Sequence, residues 1–259
     1  MLTRRSFLIT GSAATGATLV LPYAAMAAAH ASHVYEAADG AVTIHPVAHA
    51  SFVMETPAGV IYVDPVGETA AYATFPAPDL ILVTHHHGDH FKPDTLSALA
   101  APATVLLVNP TVHGQLPEAL NPRATAIANG ESAEALGLMI EAIAAYNTTE
   151  DRLKYHPQGR DNGYVVNFDG LRVYIAGDTE DIPEMRALSG IDVAFLPMNM
   201  PYTMSEEQAA AAVAAFKPKF VYPYHYRDSD RDKFAALVAA DGTGSEVKFA
   251  PWYGEAMQG

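Results

Sequence analysis

The sequence predicts an α/β (α+β) fold in which two β-sheets pack face to face with helices outside. Three observations lead there. Short apolar runs of strand length recur along the chain, bounded by Gly, Pro, Asn and Asp. Each half holds several strands in succession and then alternates helix with strand. Half of the 259 residues are hydrophobic, enough for a sizeable core, and no linker or compositional break divides them. One domain over residues 33–259 is therefore expected.

Taken in order, "AVTIHPV", "ASFVMETP" and "VIYVDPV" read as strands, with Pro57-Ala58-Gly59 turning the last two. "DLILVTH" is a continuous apolar run, as in a strand buried on both faces. A short helix "DTLSALA" follows, with Asp94 as its expected cap, and then the strand "ATVLLVNP". "GLMIEAIAAYN" opens the second half, and a hairpin turns on Asp169-Gly170. After the strand "DVAFLPM", Ser205 and Gln208 form a capping box for the helix "EEQAAAAVAAF". The strand "KFVYPYHY", the helix "RDKFAALVAA" and the strand "EVKFA" complete the chain.

Residues 1–28 differ from the rest: two adjacent arginines, an apolar Gly/Ala-rich run, then small residues. This is the pattern of a secretory signal, cleaved between about residues 26 and 32. "TRRSFL" resembles the twin-arginine export signal, which implies passage through the twin-arginine translocase, a periplasmic location and no stable membrane anchor after cleavage. The formal charge is −14, and loss of the two arginines would deepen it. So acidic a surface disfavours a nucleic-acid substrate. With no cysteine, neither a thiolate ligand nor a thiol nucleophile is available.

The chemistry concentrates in Thr84–His90, "THHHGDH", which holds four of the 11 histidines and directly follows an apolar strand. In extended chain, residues two apart point the same way, so His85 and His87 can grip one cation while His86 points elsewhere. Past Gly88 the chain can turn Asp89 and His90 toward a second. Imidazole and carboxylate donors without sulfur suit Zn2+ first, with Mn2+, Fe2+ or Ni2+ possible. Further donors stand near strand ends: His156, Asp178 and His225.

These phrases resemble the metallo-β-lactamase fold hydrolases. "AHASFVMETPAGVIYVDP", "YHPQGRDNGYVVNFDGLRVYIAGDT" and "YPYHY" are most similar to the branch of L-ascorbate-6-phosphate lactonase-like and N-acyl-phosphatidylethanolamine phospholipase D-like proteins, from about His45 to Tyr226. The resemblance implies a four-layer αββα sandwich with two metal ions at its edge. His85, His87 and His156 would hold the first ion, Asp89, His90 and His225 the second, and Asp178 would bridge them. A shared water would then be acidic enough to ionise near neutral pH, the ions would supply Lewis acidity toward the scissile oxygen, and Asp89 would orient the nucleophile or carry its proton. Asp89 and His90 are the expected catalytic pair. His49 and Asp64 match family phrases and would support the ligands from behind. Tyr202, Tyr224 and Tyr226 are candidates to donate to an oxyanion, and Lys154 and Arg160 to read an acidic substrate.

Hydrolysis of an ester, lactone or phosphodiester of a small molecule is the expected function. The missing cysteine argues against the best-known β-lactamases, the short stretch after His225 against glutathione thioesterases, and the charge against ribonucleases. A lactonase-like enzyme remains. A di-iron redox protein of the same fold and a non-catalytic metal-binding protein are the alternatives; colour separates di-iron from di-zinc.

Overall fold

Strands that are apolar on both faces must be covered twice, and the chain covers them by stacking two sheets and adding helices outside. The computed structural model describes residues 32–254; the export signal expected at 1–28 lies outside them. The first sheet runs in chain order through β1 (His33–Ala37), β2 (Gly40–Ala48), β3 (Ser51–Thr56), β4 (Gly59–Val63), β5 (Leu80–Val83), β6 (Val105–Val108) and β7 (Ala124–Ala126). The second comprises β8 (Ser132–Ala135), β9 (Leu138–Ala145), β10 (Asp161–Asn167), β11 (Arg172–Ile175), β12 (Val193–Pro197), β13 (Phe220–Tyr224) and β14 (Glu246–Val247). In each sheet the early pairings are antiparallel and the later ones parallel.

Alternation along β3 and β5 explains the apolar runs. Phe52, Met54, Leu80 and Leu82 enter the core shared with the second sheet, where Phe52 stacks on Phe195 at 4.4 Å. Val53, Ile81 and Val83 face the other way, against Leu96 of α1 (Pro93–Leu99) and Val112 of α2 (Pro110–His113). After the short α3 (Pro183–Arg186), α4 (Glu206–Phe216) and α5 (Arg231–Ala240) pack against each other, and Phe216 of α4 meets Tyr174 of the second sheet edge-on. None of the described helices is long and apolar enough to cross a membrane.

The capping box of Ser205 and Gln208 forms as expected. Asp169 and Gly170 take φ of 47° and 92°, the pair of positive angles that a primed two-residue turn requires. Asp94 is not the cap of α1. Proline at the first helical position starts that helix earlier, so Lys92 holds the cap position without a side-chain bond and Asp94 lies in the first turn. "EVKFA" contributes only Glu246–Val247 to a strand. The short β1, β7 and β8 are additions to the expected elements.

Candidate metal centre

Parallel strands deliver the site. β5 ends at Val83, and the histidine-rich segment begins one residue later. Asp64 follows the neighbouring β4 and is fully buried. It accepts the Thr84 N–H at 2.7 Å and the Thr84 hydroxyl at 2.6 Å, and its Oδ2 meets His90 Nδ1 at 2.7 Å. The opposite sheet supplies Asp178 after β11, His225 after β13 and His156 from the loop between β9 and β10. At Gly177, φ is 65° and a Cβ would stand 2.7 Å from the Asn162 carbonyl oxygen. No side chain fits, so glycine brings the Asp178 strand close against its neighbour.

Three groups of donors result, and the candidate atoms within each lie within 4.8 Å of one another: His85, His87 and His156; His49, Asp89, His90 and His225; and His85, His90 and Asp178. Asp178 joins them. Its Oδ2 is 3.8 Å from His85 Nε2, 3.5 Å from His156 Nε2 and 3.3 Å from His225 Nε2, and its Oδ1 is 3.3 Å from His90 Nε2. The Nε2 atoms of His85, His90 and His225 and the Oδ1 of Asp178 are buried and make no hydrogen bond. Burying such an atom unsatisfied costs roughly 1–3 kcal/mol, and these converge on one place. Divalent cations would satisfy them, so the donor set fits metal. His86 belongs to none of the three groups.

The electrostatics follow from this crowding. Burial, together with His90, His156 and His87, holds His85 well below its ordinary value. Burial and His156 bring His87 down to about 4. His90 goes the other way: burial opposes its charge, but Asp178 and Asp64 outweigh it and raise it. Burial alone would raise Asp89 and Asp178, yet both are held below the usual carboxylate range, Asp89 by His225 and His49 and Asp178 by His225 and His90.

Behind the donors, carboxylates fix the rings. Asp64 does so for His90, and Asp161 for His156 through a 3.0 Å contact to Nδ1. Arg160 grips both oxygens of Asp161 at 2.8 Å and the Tyr155 carbonyl at 2.7 Å. That corrects the expectation that Arg160 reads substrate: its guanidinium is already committed. Lys154 places its ammonium 5.1 Å from the centre of the Tyr155 ring and is absent from the cavity wall. His49 joins the centre directly, with Nε2 3.1 Å from Asp89 Oδ2 and Nδ1 2.7 Å from the Tyr253 hydroxyl. His49, Asp64 and His225 all have left-handed backbones, with φ of 54°, 43° and 50°. Such conformations cost of order 1–3 kcal/mol for a non-glycine residue and gather at functional sites.

A cavity of about 470 Å³ opens over the donors, in the range that takes small molecules. Tyr202 lines it, as expected of an oxyanion donor, together with Tyr155, Asn199 and Arg227. Tyr224 does not: it is fully buried against Phe195 and Trp252. Burial, with the nearby Asp64 and Asp178, pushes its phenol well up. Tyr226 is buried as well, and its hydroxyl accepts from Arg231 at 3.1 Å. Both are therefore packing residues and not donors to substrate. Sequence reasoning missed Asp161, Tyr155, Asn199 and Arg227. Arg227 was within reach, two residues beyond His225, whereas Asn199 carries no local signal.

Two stacked mixed sheets with histidine and aspartate donors at their shared edge define the metallo-β-lactamase fold. The comparisons agree. Residues 43–225 match the model of the beta-lactamase superfamily domain. A UPF0173 metal-dependent hydrolase of Thermococcus onnurineus is 35% identical over 170 residues, covering 62% of this chain and 74% of the relative. A crystal structure of a candidate metal-dependent hydrolase from Parabacteroides distasonis superposes with a TM-score of 0.79 at 42% identity, covering 85% of this chain and 98% of that one. Igni18, a metallo hydrolase from Ignicoccus hospitalis, shares the fold at 24% identity and a TM-score of 0.66, covering 80% and 94%. The chain belongs to the beta-lactamase superfamily and, within it, to the UPF0173 metal-dependent hydrolases.

Proposed function

We propose that this hydrolase cleaves an ester, lactone or phosphodiester bond of a small molecule with two divalent cations, zinc foremost. The observation that carries the reading is the convergence of buried, unbonded Nε2 atoms of His85, His90 and His225 around Asp178. His85, His87 and His156 would hold one cation, Asp89, His90 and His225 the other, and Asp178 both. When bound, the pair would supply Lewis acidity and a water acidic enough to ionise near neutral pH.

The protein's own groups do the rest. Asp64 and Asp161 fix the tautomers of His90 and His156, so that each presents Nε2 toward Asp178. Asp89, whose side chain is 41% exposed and held by His49, keeps a carboxylate at the cavity floor that can orient a nucleophile or hold its proton. Tyr202 offers its hydroxyl to a developing negative charge, and Tyr155 packs edge-on to it at 4.9 Å as a wall for the substrate body.

The phrases shared with the L-ascorbate-6-phosphate lactonase-like branch favour a lactone or phosphate-bearing substrate. The twin-arginine pattern at residues 1–28 supports export to the periplasm. The test is turnover of p-nitrophenyl acetate, γ-butyrolactone and bis(p-nitrophenyl) phosphate by the purified chain. Hydrolysis of at least one class, lost on chelation and restored by Zn2+, is expected. A zinc-loaded chain inert toward all three bond classes would contradict the reading.

A further inference from the structure

One arginine of the described residues has no protein partner for its side chain, and it stands over the metal donors. Among the described residues, Arg123 bonds the Thr104 carbonyl at 3.4 Å, Arg152 pairs with Glu180, Arg160 with Asp161, Arg172 with Glu141, Arg186 with Asp181, and Arg231 with the Tyr226 hydroxyl. Arg227 alone makes no side-chain hydrogen bond, ion pair or ring contact among them, and it lines the cavity over the metal donors. It is also the only arginine or lysine of that wall, in a chain with 29 acids against 15 cations. Arg227 is exposed, so solvent satisfies its charge and a ligand entering the cavity can take the place of that water.

The backbone explains how. Arg227 has a left-handed φ of 41°, and its N–H donates to the Tyr253 hydroxyl at 3.1 Å. That hydroxyl also meets His49 Nδ1, and His49 Nε2 meets Asp89. The residue is thereby registered to the metal donors through a single phenol, while its side chain stays available. A guanidinium presents a rigid fork of donors that matches the two oxygens of a carboxylate or phosphate.

We propose that Arg227 binds a second, non-reacting anionic group of the substrate, a carboxylate or a phosphate, so that this hydrolase prefers acidic esters, lactones or phosphodiesters over neutral ones. The inference rests on the dinuclear reading above, because the reacting end must sit on the metal donors while the anion reaches the arginine. The same wall joins Tyr155 and Tyr202, which cover the uncharged part of the ligand between those two anchors.

Binding tests this without turnover. Zinc-loaded wild-type and Arg227→Ala proteins are titrated calorimetrically with dicarboxylates from malonate to adipate, and with the monocarboxylate of matching length for each. The wild type is expected to bind its best dicarboxylate at least about tenfold more tightly than the matched monocarboxylate. In Arg227→Ala that preference falls to near one, and Arg227→Lys retains part of it. Phosphonocarboxylates of the same lengths show which oxyanion the arginine takes, and a preference for either supports the proposal. Equal preference in wild type and Arg227→Ala, with full zinc in both, overturns the role of Arg227 alone. A chain that takes up no zinc and binds neither ligand overturns the hydrolase reading and this proposal together.

Discussion

His90 and Asp64 are joined by a 2.7 Å contact between Nδ1 and Oδ2, and neither side chain is exposed. Asp64 also takes both donors of Thr84, so one carboxylate sets the start of the histidine segment and the ring at its end. Asp64→Asn keeps the volume but turns one acceptor into a donor. Metal affinity is expected to weaken about 10- to 100-fold, the usual consequence of losing such a partner. Chelator competition measures it, and an unchanged affinity would mean that Asp64 does not orient the ligand.

A parallel case separates two roles for Arg160. It holds Asp161, which holds His156, so Arg160→Ala is expected to weaken metal binding several-fold. Asp161→Asn should cost more, because it acts on the ring directly. Neither substitution should change the preference for charged over neutral ligands. If Arg160→Ala altered that preference at unchanged metal affinity, the arginine would be reading substrate after all.

Tyr202 and Tyr224 are distinguished by their burial. Tyr202 lines the cavity and is 44% exposed, whereas Tyr224 is fully buried and no part of the cavity wall. Tyr202→Phe should lower kcat about 10- to 100-fold with little change in KM, since a donor to a developing charge acts chiefly in the transition state. Tyr224→Phe should leave kcat within about twofold. Steady-state kinetics on the most active substrate class decides, and the reverse pattern would refute the assignment.

Much of this was legible in advance because the signals are local. An apolar run that stops at clustered histidines needs no tertiary knowledge, and neither does Asp169-Gly170 as a primed turn. His49 and Asp64 were visible only as positions in recurring phrases; their contacts to Asp89 and His90 arise when β2, β3 and β4 pair. Arg160 misled because its partner Asp161 is the next residue, too close for pattern reading to see a pair. Asp94 misled because Pro93 decides the start of α1. The cavity wall was least legible: Tyr155, Asn199 and Arg227 come from three loops that meet only once the sheets stack.

Alkaline pH probes the outer core. Tyr72 is 2% exposed, and its hydroxyl both donates to and accepts from the Val66 backbone at 3.0 Å. Burial pushes its phenol from 10.0 up to about 12. A raised pKa means that the folded state keeps the proton the unfolded chain releases. The stabilisation is therefore complete below pH 10 and is lost as pH rises through about 12. That gap is worth roughly 3 kcal/mol. Urea unfolding across this range should fall less steeply for Tyr72→Phe than for wild type, although the variant starts lower near neutral pH. Parallel curves would show that this phenol does not govern the alkaline limb.

The central claim is that Asp178 joins two sets of metal donors. Elemental analysis of the chain beside Asp178→Ala tests it most directly. About two equivalents of zinc in the wild type, with a clear fall in the variant, is the predicted result. Less than one equivalent, unchanged by the substitution and not raised by added metal, would contradict the dinuclear centre and the hydrolytic reading built on it.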